Sequence, residues 1–410
     1  MHKNTQGILL EGVRVLDLAD EKGTYTGRVL ADLGADVVKV EPPHGDRARS
    51  YPPFAQDEPG PDNSLFFLFY NLNKRSVTLN LEHPQGCAIF RELVTKADVL
   101  VESFPVGYLT SLGVDYVALR QVNPRLVFAS VSDFGQTGPC SRSKSSDLVN
   151  MAMSGHMQMC GEPGKPPFRM GMHHSYMAAS LYAANGIVAA LWYRHTSGKG
   201  QLIDVSAQEA MVVFAGAGNQ EVNWFILKKN PARTGARHEA WFPAGDYGVK
   251  DGRVCIAVWS ATEWDSFAQW VWEVTGNTEL LDPKYKGAGD VRYPYIDYLS
   301  EILSRDFFPK FTKLEIFHES ARRGIVVVPV QTVEDVVNDA QLNERGFFMP
   351  IEHPAIGKTM FPGMPFYIEG LPCQCRQTVP LLGQDNEDIY CGELGFSKQD
   401  LGVLKAIGAI

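Results

Sequence analysis

Short, β-branched apolar runs alternate with segments of helical spacing through the first half of the chain. Residues 12–18 and 35–41 are two such runs, and residues 28–34 between them have the spacing of a short helix. Two strands joined by a helix within about thirty residues form a βαβ unit, whose strands are parallel. Further strands are predicted at residues 76–81, 98–102, 126–131 and 202–206, with helices at 86–96, 115–122 and 207–215. The alternation predicts an α/β fold on an open parallel sheet.

The pattern changes after residue 216. A chain of 410 residues is too long for one compact core, which favours two domains. Residues 1–216 are expected to form the first part of a large domain, and residues 217–250, which lack a clear period, a linker. A small domain is predicted at residues 251–332, with strands at 252–260 and 325–330 and helices at 263–274, 296–304 and 309–323. Residues 333–410 are expected to form a second linker, irregular at 346–380, and to return to the large domain.

Composition argues against several classes of function. The net charge of −9 disfavours a nucleic-acid partner. No stretch reaches the about 18 apolar residues of a membrane span, and the N-terminus lacks the apolar core of a signal peptide. Cysteines are scattered, and the pair Cys373 and Cys375 has no second pair or nearby histidines, so we expect it to be structural rather than a metal site. We therefore expect a cytoplasmic protein with no metal site and no membrane partner.

A loop that leads into a long, alanine-rich helix is the best candidate for the site of chemistry. Residues 169–200 contain Gly171, the adjacent His173 and His174, and then Tyr176 at the start of an apolar helical segment. Unpaired backbone N–H groups and the helix dipole favour an anion at such a helix start. The two histidines could act as bases, although packing within the loop is the commoner role for such residues. Neither a glycine-rich dinucleotide fingerprint nor a P-loop is present, so a tightly bound nucleotide cofactor is not expected.

Several stretches, in order along the chain, resemble the family III CoA-transferases, the group of formyl-CoA transferase, carnitine CoA-transferase and methylacyl-CoA racemase. The N-terminal ones are VLDL at residues 15–18 and LADLGADVVKVEPPHGD at residues 30–46. The others are at residues 71–76, 96–102, 123–124, 134–139, 187–201, 324–330 and 380–384. Each stretch is weak alone, but the ordered set covers nearly the whole chain and is specific.

The resemblance implies a particular architecture. Each subunit of the family has a large Rossmann-like domain made from both ends of the chain and a small inserted α+β domain between two long linkers. Two subunits thread through each other as interlocked rings, which would explain the two irregular linkers better than disorder does. We therefore expect an obligate oligomer.

At the nucleophile position this sequence departs from the family. The family carries an aspartate five residues after a glycine, just before the alanine-rich helix, and its carboxylate forms a covalent thioester with CoA. Five residues after Gly171 this chain has Tyr176, a phenol that is mostly neutral at pH 7. The racemases of the group also carry a histidine just before the residue that matches Asp147, and here that residue is Ser146. Neither catalytic pattern is therefore complete.

The CoA contacts of the family are only partly kept. Three residues match contact positions: Leu79, Phe104 and Lys144. Pro42 and Ser111 stand where the family usually has arginines, and the loop after the first strand carries the negative charges of Asp20 and Glu21. Phosphate recognition requires cations or exposed N–H groups, so we expect a degenerate CoA site.

Three functions follow as alternatives. The first is a non-catalytic subunit of a CoA-transferase, in a heterodimer or heterotetramer with a paralogous chain that carries the aspartate. The resemblance is to two-subunit members such as those that act on benzylsuccinate in anaerobic aromatic degradation, and a CoA thioester would be the substrate of the complex. The second is a self-sufficient CoA-ester isomerase or lyase that uses Tyr176, His173 or His174. The third is a binding or regulatory protein that keeps only the fold.

Overall fold

The computed structural model describes residues 9–214, 218–238, 241–369 and 376–410. Cys373 and Cys375 lie outside the described residues. Contacts within the chain divide it into two compact units. The large unit contains Met1–His156, Arg169–Leu227 and Asn343–Ile410, and the small unit contains Met157–Phe168 and Lys228–Leu342. This division gives the small unit residues 228–250 and 333–342, which sequence analysis assigned to linkers, and residues 157–168, which it assigned to the large domain.

The regular elements are numbered here in chain order. The strands are β1 (Arg14–Asp17), β2 (Asp36–Glu41), β3 (Lys74–Thr78), β4 (Val99–Glu102), β5 (Val127–Ser132), β6 (Leu202–Ser206), β7 (Ala244–Val249), β8 (Gly252–Ala257), β9 (Val326–Pro329), β10 (Phe348–His353) and β11 (Gly357–Pro362). The α-helices are α1 (Thr24–Asp32), α2 (Leu65–Tyr70), α3 (Pro84–Thr95), α4 (Tyr108–Ser111), α5 (Tyr116–Val122), α6 (Asp147–Met153), α7 (His156–Met159), α8 (His174–Ser197), α9 (Ala207–Val213), α10 (Gly218–Leu227), α11 (Ala261–Thr275), α12 (Ile296–Ile302), α13 (Lys313–Arg322), α14 (Val333–Val337), α15 (Ala340–Glu344) and α16 (Lys398–Ala406).

A six-stranded parallel sheet in the order β3-β2-β1-β4-β5-β6 forms the centre of the large unit. The predicted α/β class with an open parallel sheet is confirmed. Side chains alternate between two buried faces, which is why the strands read as continuous apolar runs. Val15 packs in the cluster that includes α1 and α8, whereas its neighbour Leu16 packs in the cluster that includes α3.

The strand order reverses between β1 and β4. In doubly wound sheets of this order, ligands bind at the carboxyl ends of the strands near that reversal. The loops after β1, β4 and β5 all begin at this edge. The topology therefore places a candidate site at residues that follow Asp17, Glu102 and Ser132.

The free edge of β3 is covered by residues near the C-terminus. The Ser76 N–H donates to Asp385 Oδ2 at 2.8 Å, and the Asp385 N–H donates back to the Ser76 carbonyl at 2.9 Å. The Thr78 N–H donates to Asn386 Oδ1 at 2.9 Å, and the Tyr390 hydroxyl donates to the Thr78 carbonyl at 2.8 Å. Side chains and backbone of the last segment thus satisfy the edge groups that another strand could otherwise pair with.

An antiparallel sheet in the order β7-β8-β9 supports the small unit. Helix α11 begins with a capping box between Ser260 and Glu263 and ends at Gly276, whose φ of 75° favours glycine. Its buried face carries Trp264 and Trp270, which pack in the hydrophobic core of this unit. Within the described ranges, no helix combines the length and hydropathy needed to cross a membrane.

Both segments predicted to be irregular contain regular structure. Helix α10 and strand β7 lie within residues 217–250, and β10 and β11 form an antiparallel hairpin within residues 346–380. The predictions of irregular structure were therefore wrong in these places. Two glycines in β7 and Pro350 in β10 weaken the residue pattern by which a strand is recognised.

Candidate active site

Two cavities of ligand size lie in the large unit and include residues from the carboxyl edge of its sheet. One, of about 650 Å³, is lined by Tyr176 together with Glu21 and Asp133, and we call it the Tyr176 cavity. The other, of about 680 Å³, is lined by Leu79 and Phe104, and we call it the Phe104 cavity. Their positions agree with the edge at which a doubly wound sheet binds its ligands.

Helix α8 presents Tyr176 to the first cavity from its first turn. No side-chain cap comes from His173, the residue that precedes the helix. Asp147 of α6 instead accepts two hydrogen bonds at Oδ1, from the N–H of Ser175 at 2.9 Å and from its hydroxyl at 2.8 Å. A buried carboxylate thus satisfies one of the N–H groups that every helix start leaves unpaired. Asp147 fixes the start of α8, and with it the position of Tyr176.

The phenol of Tyr176 is buried and lies close to the carboxylates of Asp133 and Glu21. The residue is 7% exposed, and its hydroxyl donates a long hydrogen bond of 3.4 Å to Asp133 Oδ1. Burial raises the pKa of this phenol well above its ordinary value, and the carboxylates of Asp133 and Glu21 raise the pKa further. Tyr176 is therefore a neutral hydrogen-bond donor at physiological pH.

The two candidate histidines have different surroundings. His173 lines the Tyr176 cavity, with its ring centroid 5.6 Å from that of Phe66 and 6.1 Å from that of Tyr176. His174 lines neither of the two cavities. His174 instead affects His156. Burial is the main cause that lowers the pKa of His156, and the charge of His174 lowers it further. The structure thus brings His173, but not His174, to the cavity that contains Tyr176.

Two of the three expected CoA contact residues meet in one place. Leu79 and Phe104 line the Phe104 cavity, and Pro42, which stands where the family usually has an arginine, lines it too. Lys144 is exposed and lines neither cavity. The cavity therefore contains two apolar contacts expected for a CoA ligand. It lacks the arginine that the family usually has at position 42.

Glu102 holds the backbone that carries Phe104. Its Oε2 accepts the Phe104 N–H at 2.7 Å, and its Oε1 accepts the hydroxyl of Ser130. Burial raises the pKa of Glu102 to about 7, because a charged carboxylate is poorly solvated there. The Glu102 carboxyl thus fixes the backbone at Phe104, a residue that lines the Phe104 cavity.

Sequence reasoning missed six residues of the Tyr176 cavity that carry charge or rings. They are Lys22, Arg47, Tyr51, Phe66, Asp133 and Arg169. Only Asp133 has a clear signal in the sequence, since it lies two residues beyond the strand predicted at 126–131, at the edge where ligands bind. No group of three or more acidic, histidine or cysteine side chains in the described part of the chain could hold a metal ion.

An all-parallel sheet of this order, with two ligand-sized cavities that reach its carboxyl edge, is typical of enzymes that bind a nucleotide-bearing ligand. The chain belongs to CoA-transferase family III, whose family model matches residues 10–386. The family assignment made from the sequence is thereby confirmed. The relatives are enzymes that use CoA thioesters as substrates.

Two relatives and one solved structure illustrate the similarity. The BbsE subunit of succinyl-CoA:(R)-benzylsuccinate CoA-transferase from Thauera aromatica is 32% identical over 408 residues, which cover 97% of each chain. Succinyl-CoA:glutarate CoA-transferase from Mus musculus is 33% identical, over 98% of this chain and 90% of the mouse protein. The crystal structure of a CAIB/BAIF family protein from Brucella suis has a TM-score of 0.83 and 30% identity, over 93% of this chain and 98% of that one.

Proposed function

We propose that this chain is the non-catalytic subunit of a CoA-transferase that moves CoA between an acyl-CoA and a carboxylic acid. A paralogous subunit would carry the nucleophilic aspartate and complete the enzyme. The observation that carries the proposal is the buried, neutral phenol of Tyr176 at the start of α8, where the family resemblance expects a carboxylate.

The chemistry of the cavity supports a vacant nucleophile position. A thioester is attacked by an anion, and ionising Tyr176 would place a second charge beside Asp133, 3.4 Å away. Asp133 itself accepts a hydrogen bond from Asn150 at 2.8 Å, and Asp147 Oδ1 is engaged by Ser175. The carboxylates of Asp133 and Asp147 thus accept hydrogen bonds that fix the structure of the site.

The substrates follow from the relatives in the same proposal. One relative is described as a subunit and acts on succinyl-CoA and benzylsuccinate. We propose the same pair of substrates here, with the partner chain binding the reacting CoA thioester. The Phe104 cavity of this chain, which has Pro42 where the family usually has an arginine, would hold CoA weakly.

Co-expression with the paralogous chain tests the proposal. The chain purified alone should transfer no CoA from succinyl-CoA to benzylsuccinate, and the co-expressed complex should do so. Hydroxylamine should release CoA from a covalent thioester on the partner and not on this chain. A homo-oligomer of this chain with normal turnover would refute the proposal.

Tyr176→Phe within the complex separates the proposal from the self-sufficient alternative. The variant removes only the hydroxyl, so the rate of the complex should change by no more than about twofold. His173→Gln serves as a second variant, because His173 is the other candidate base in the cavity. A loss of about a hundredfold or more in either variant would favour catalysis by this chain.

A further inference from the structure

Two arginines of the Tyr176 cavity, Arg47 and Arg169, form only long ion pairs. Arg47 Nη2 lies 3.8 Å from Glu21 Oε1, and Arg169 Nη1 lies 3.6 Å from Asp147 Oδ2. Both distances exceed those of hydrogen bonds, and Asp147 Oδ2 is buried without a hydrogen-bond partner among the described residues. Arg169 Nη1 also donates to the Met172 carbonyl at 3.1 Å, and the Arg47 guanidinium lies 5.6 Å from the centroid of the Tyr51 ring. A guanidinium has five donors, so both arginines, with side chains that are 71% and 46% exposed, still retain donors for a ligand.

Arg49, two residues from Arg47, shows what a structural arginine looks like in this unit. Its guanidinium donates two hydrogen bonds to the Glu41 carboxylate, at 2.6 and 2.8 Å, and one to Asp62 at 2.8 Å. The Arg49 side chain is 3% exposed. A guanidinium has five donors in a planar fork that matches a carboxylate. The long ion-pair distances of Arg47 and Arg169 are thus a property of this cavity and not of the unit as a whole.

Aromatic rings line the cavity beside these cations. The ring of Phe66 lies 5.4 Å from that of Tyr51 and 5.6 Å from that of His173, and His173 lies 6.1 Å from Tyr176. All four rings line the same cavity as Arg47 and Arg169. The cavity therefore offers an apolar, aromatic surface together with two carboxylate-binding groups.

The neutral phenol also matters for the charge of the cavity. Its lining contains the carboxylates of Glu21, Asp133 and Asp147 and the cations Lys22, Arg47 and Arg169. These charges balance, whereas an aspartate in place of Tyr176 would add a fourth carboxylate. With a phenol there, a free acid can enter without meeting a further like charge.

We propose that the Tyr176 cavity binds an organic acid with two carboxylates and an aromatic body, and that Arg47 and Arg169 select it. The acid binds as the free dianion and undergoes no covalent step on this chain. The rings of Phe66 and Tyr51 hold its aromatic part, and the guanidiniums hold its carboxylates. This inference rests on the proposed function, in which such an acid is the acceptor of CoA.

Titration calorimetry on the full-length chain tests the inference with three probes. Benzylsuccinate has both features, hydrocinnamate has the ring and one carboxylate, and succinate has two carboxylates and no ring. Benzylsuccinate should bind about tenfold more tightly than either of the others, and higher salt should weaken it. Equal affinities for benzylsuccinate and hydrocinnamate, or no binding of benzylsuccinate, would overturn the inference.

Charge-removing variants identify the residues that bind the acid. Arg169→Gln should weaken benzylsuccinate binding about tenfold and hydrocinnamate binding less, while Arg169→Lys should restore part of the loss. Arg142→Gln is the matched control, since Arg142 is also exposed but lines neither cavity. Circular dichroism should show that all variants remain folded. Unchanged affinity in Arg169→Gln and in Arg47→Gln would overturn the assignment.

The binding assay tests the inference and the transfer assay tests the proposed function, so a negative result in one does not decide the other. If the complex transfers CoA but this chain binds no diacid, only the inference fails. If this chain alone transfers CoA, the proposed non-catalytic role fails, and diacid binding with the expected arginine dependence still supports the inference.

Discussion

A single oxygen, Oδ1 of Asp147, accepts both the backbone N–H and the hydroxyl of Ser175, at 2.9 and 2.8 Å. The two residues are separated by 28 positions in sequence. Because Ser175 directly precedes Tyr176, this pair decides where α8 begins and where the phenol lies.

Asp147→Ala should loosen the start of α8. The Ser175 N–H and hydroxyl would lose their acceptor in a buried place, at a cost of about 1–3 kcal/mol. Hydrogen exchange measured by mass spectrometry should show faster exchange in the first turn of α8. Asp147→Asn is the control, because its amide oxygen can still accept both bonds and its protection should be closer to that of the wild type. Equal protection in the wild type and Asp147→Ala would contradict the prediction.

Lys74→Met should be strongly destabilising. The Lys74 ammonium is fully buried and donates to Asp17 Oδ2 at 2.7 Å, to Asn71 at 2.8 Å and to Thr24. Removing it leaves the Asp17 carboxylate buried without its cation, which costs about 3–5 kcal/mol. Thermal unfolding of Lys74→Met, compared with the exposed Lys199→Met, measures the difference. The double change Lys74→Met with Asp17→Asn should recover part of the loss, and no recovery would contradict the ion-pair explanation.

Glu102→Gln should remove a pH dependence of stability. Burial raises the pKa of Glu102 from 4.5 to about 7, so between these values the folded chain holds a proton that the unfolded chain releases. Wild-type stability should therefore fall as pH rises through this window. Glutamine resembles the protonated acid, and the advantage of the variant in melting temperature should grow from about pH 4.5 to about pH 7. A difference that is constant across the window would show that Glu102 does not titrate there.

Gly86→Ala and Gly402→Ala should have opposite effects, although both glycines lie in helices. A Cβ on Gly86 in α3 would lie 1.8 Å from the backbone oxygen of Asn80, whereas a Cβ on Gly402 in α16 meets nothing within 4 Å. We expect Gly86→Ala to cost about 1–3 kcal/mol through backbone displacement. Gly402→Ala should stabilise by roughly 0.5–1 kcal/mol, because alanine loses less entropy in a helix. Melting temperatures of the two variants test the pair, and equal shifts would contradict it.

Local patterns in the sequence predicted the parallel sheet well. Strand β6 spans the predicted residues 202–206, because an apolar run bounded by Gly200 and a helix start leaves little choice. Strand β3 was predicted at residues 76–81 but begins at Lys74. The charged residues at its start conceal a strand whose lysine is buried only because Asp17, 57 positions away, neutralises it. Such a partner is a tertiary fact with no local signal.

The candidate site likewise contains residues that the sequence locates and residues that only the fold brings together. Tyr176 could be located from the sequence because Gly171, the loop and the alanine-rich helix are contiguous. Arg47 and Arg169 could not be related to each other from the sequence, since only the fold places both in the lining of one cavity. Family resemblance identified the vacant position, but the ring-lined cavity around it required the fold.

The hydrogen bonds between β3 and the C-terminal segment have a consequence for how the protein is made. Thr78 and Tyr390 are 312 positions apart, so the ribosome completes β3 long before it makes the residues that cover its edge. A nascent chain therefore carries an open strand edge through most of translation, and such edges recruit other chains. Translation halted before Asp385 would therefore release a product whose β3 edge stays open and prone to aggregation.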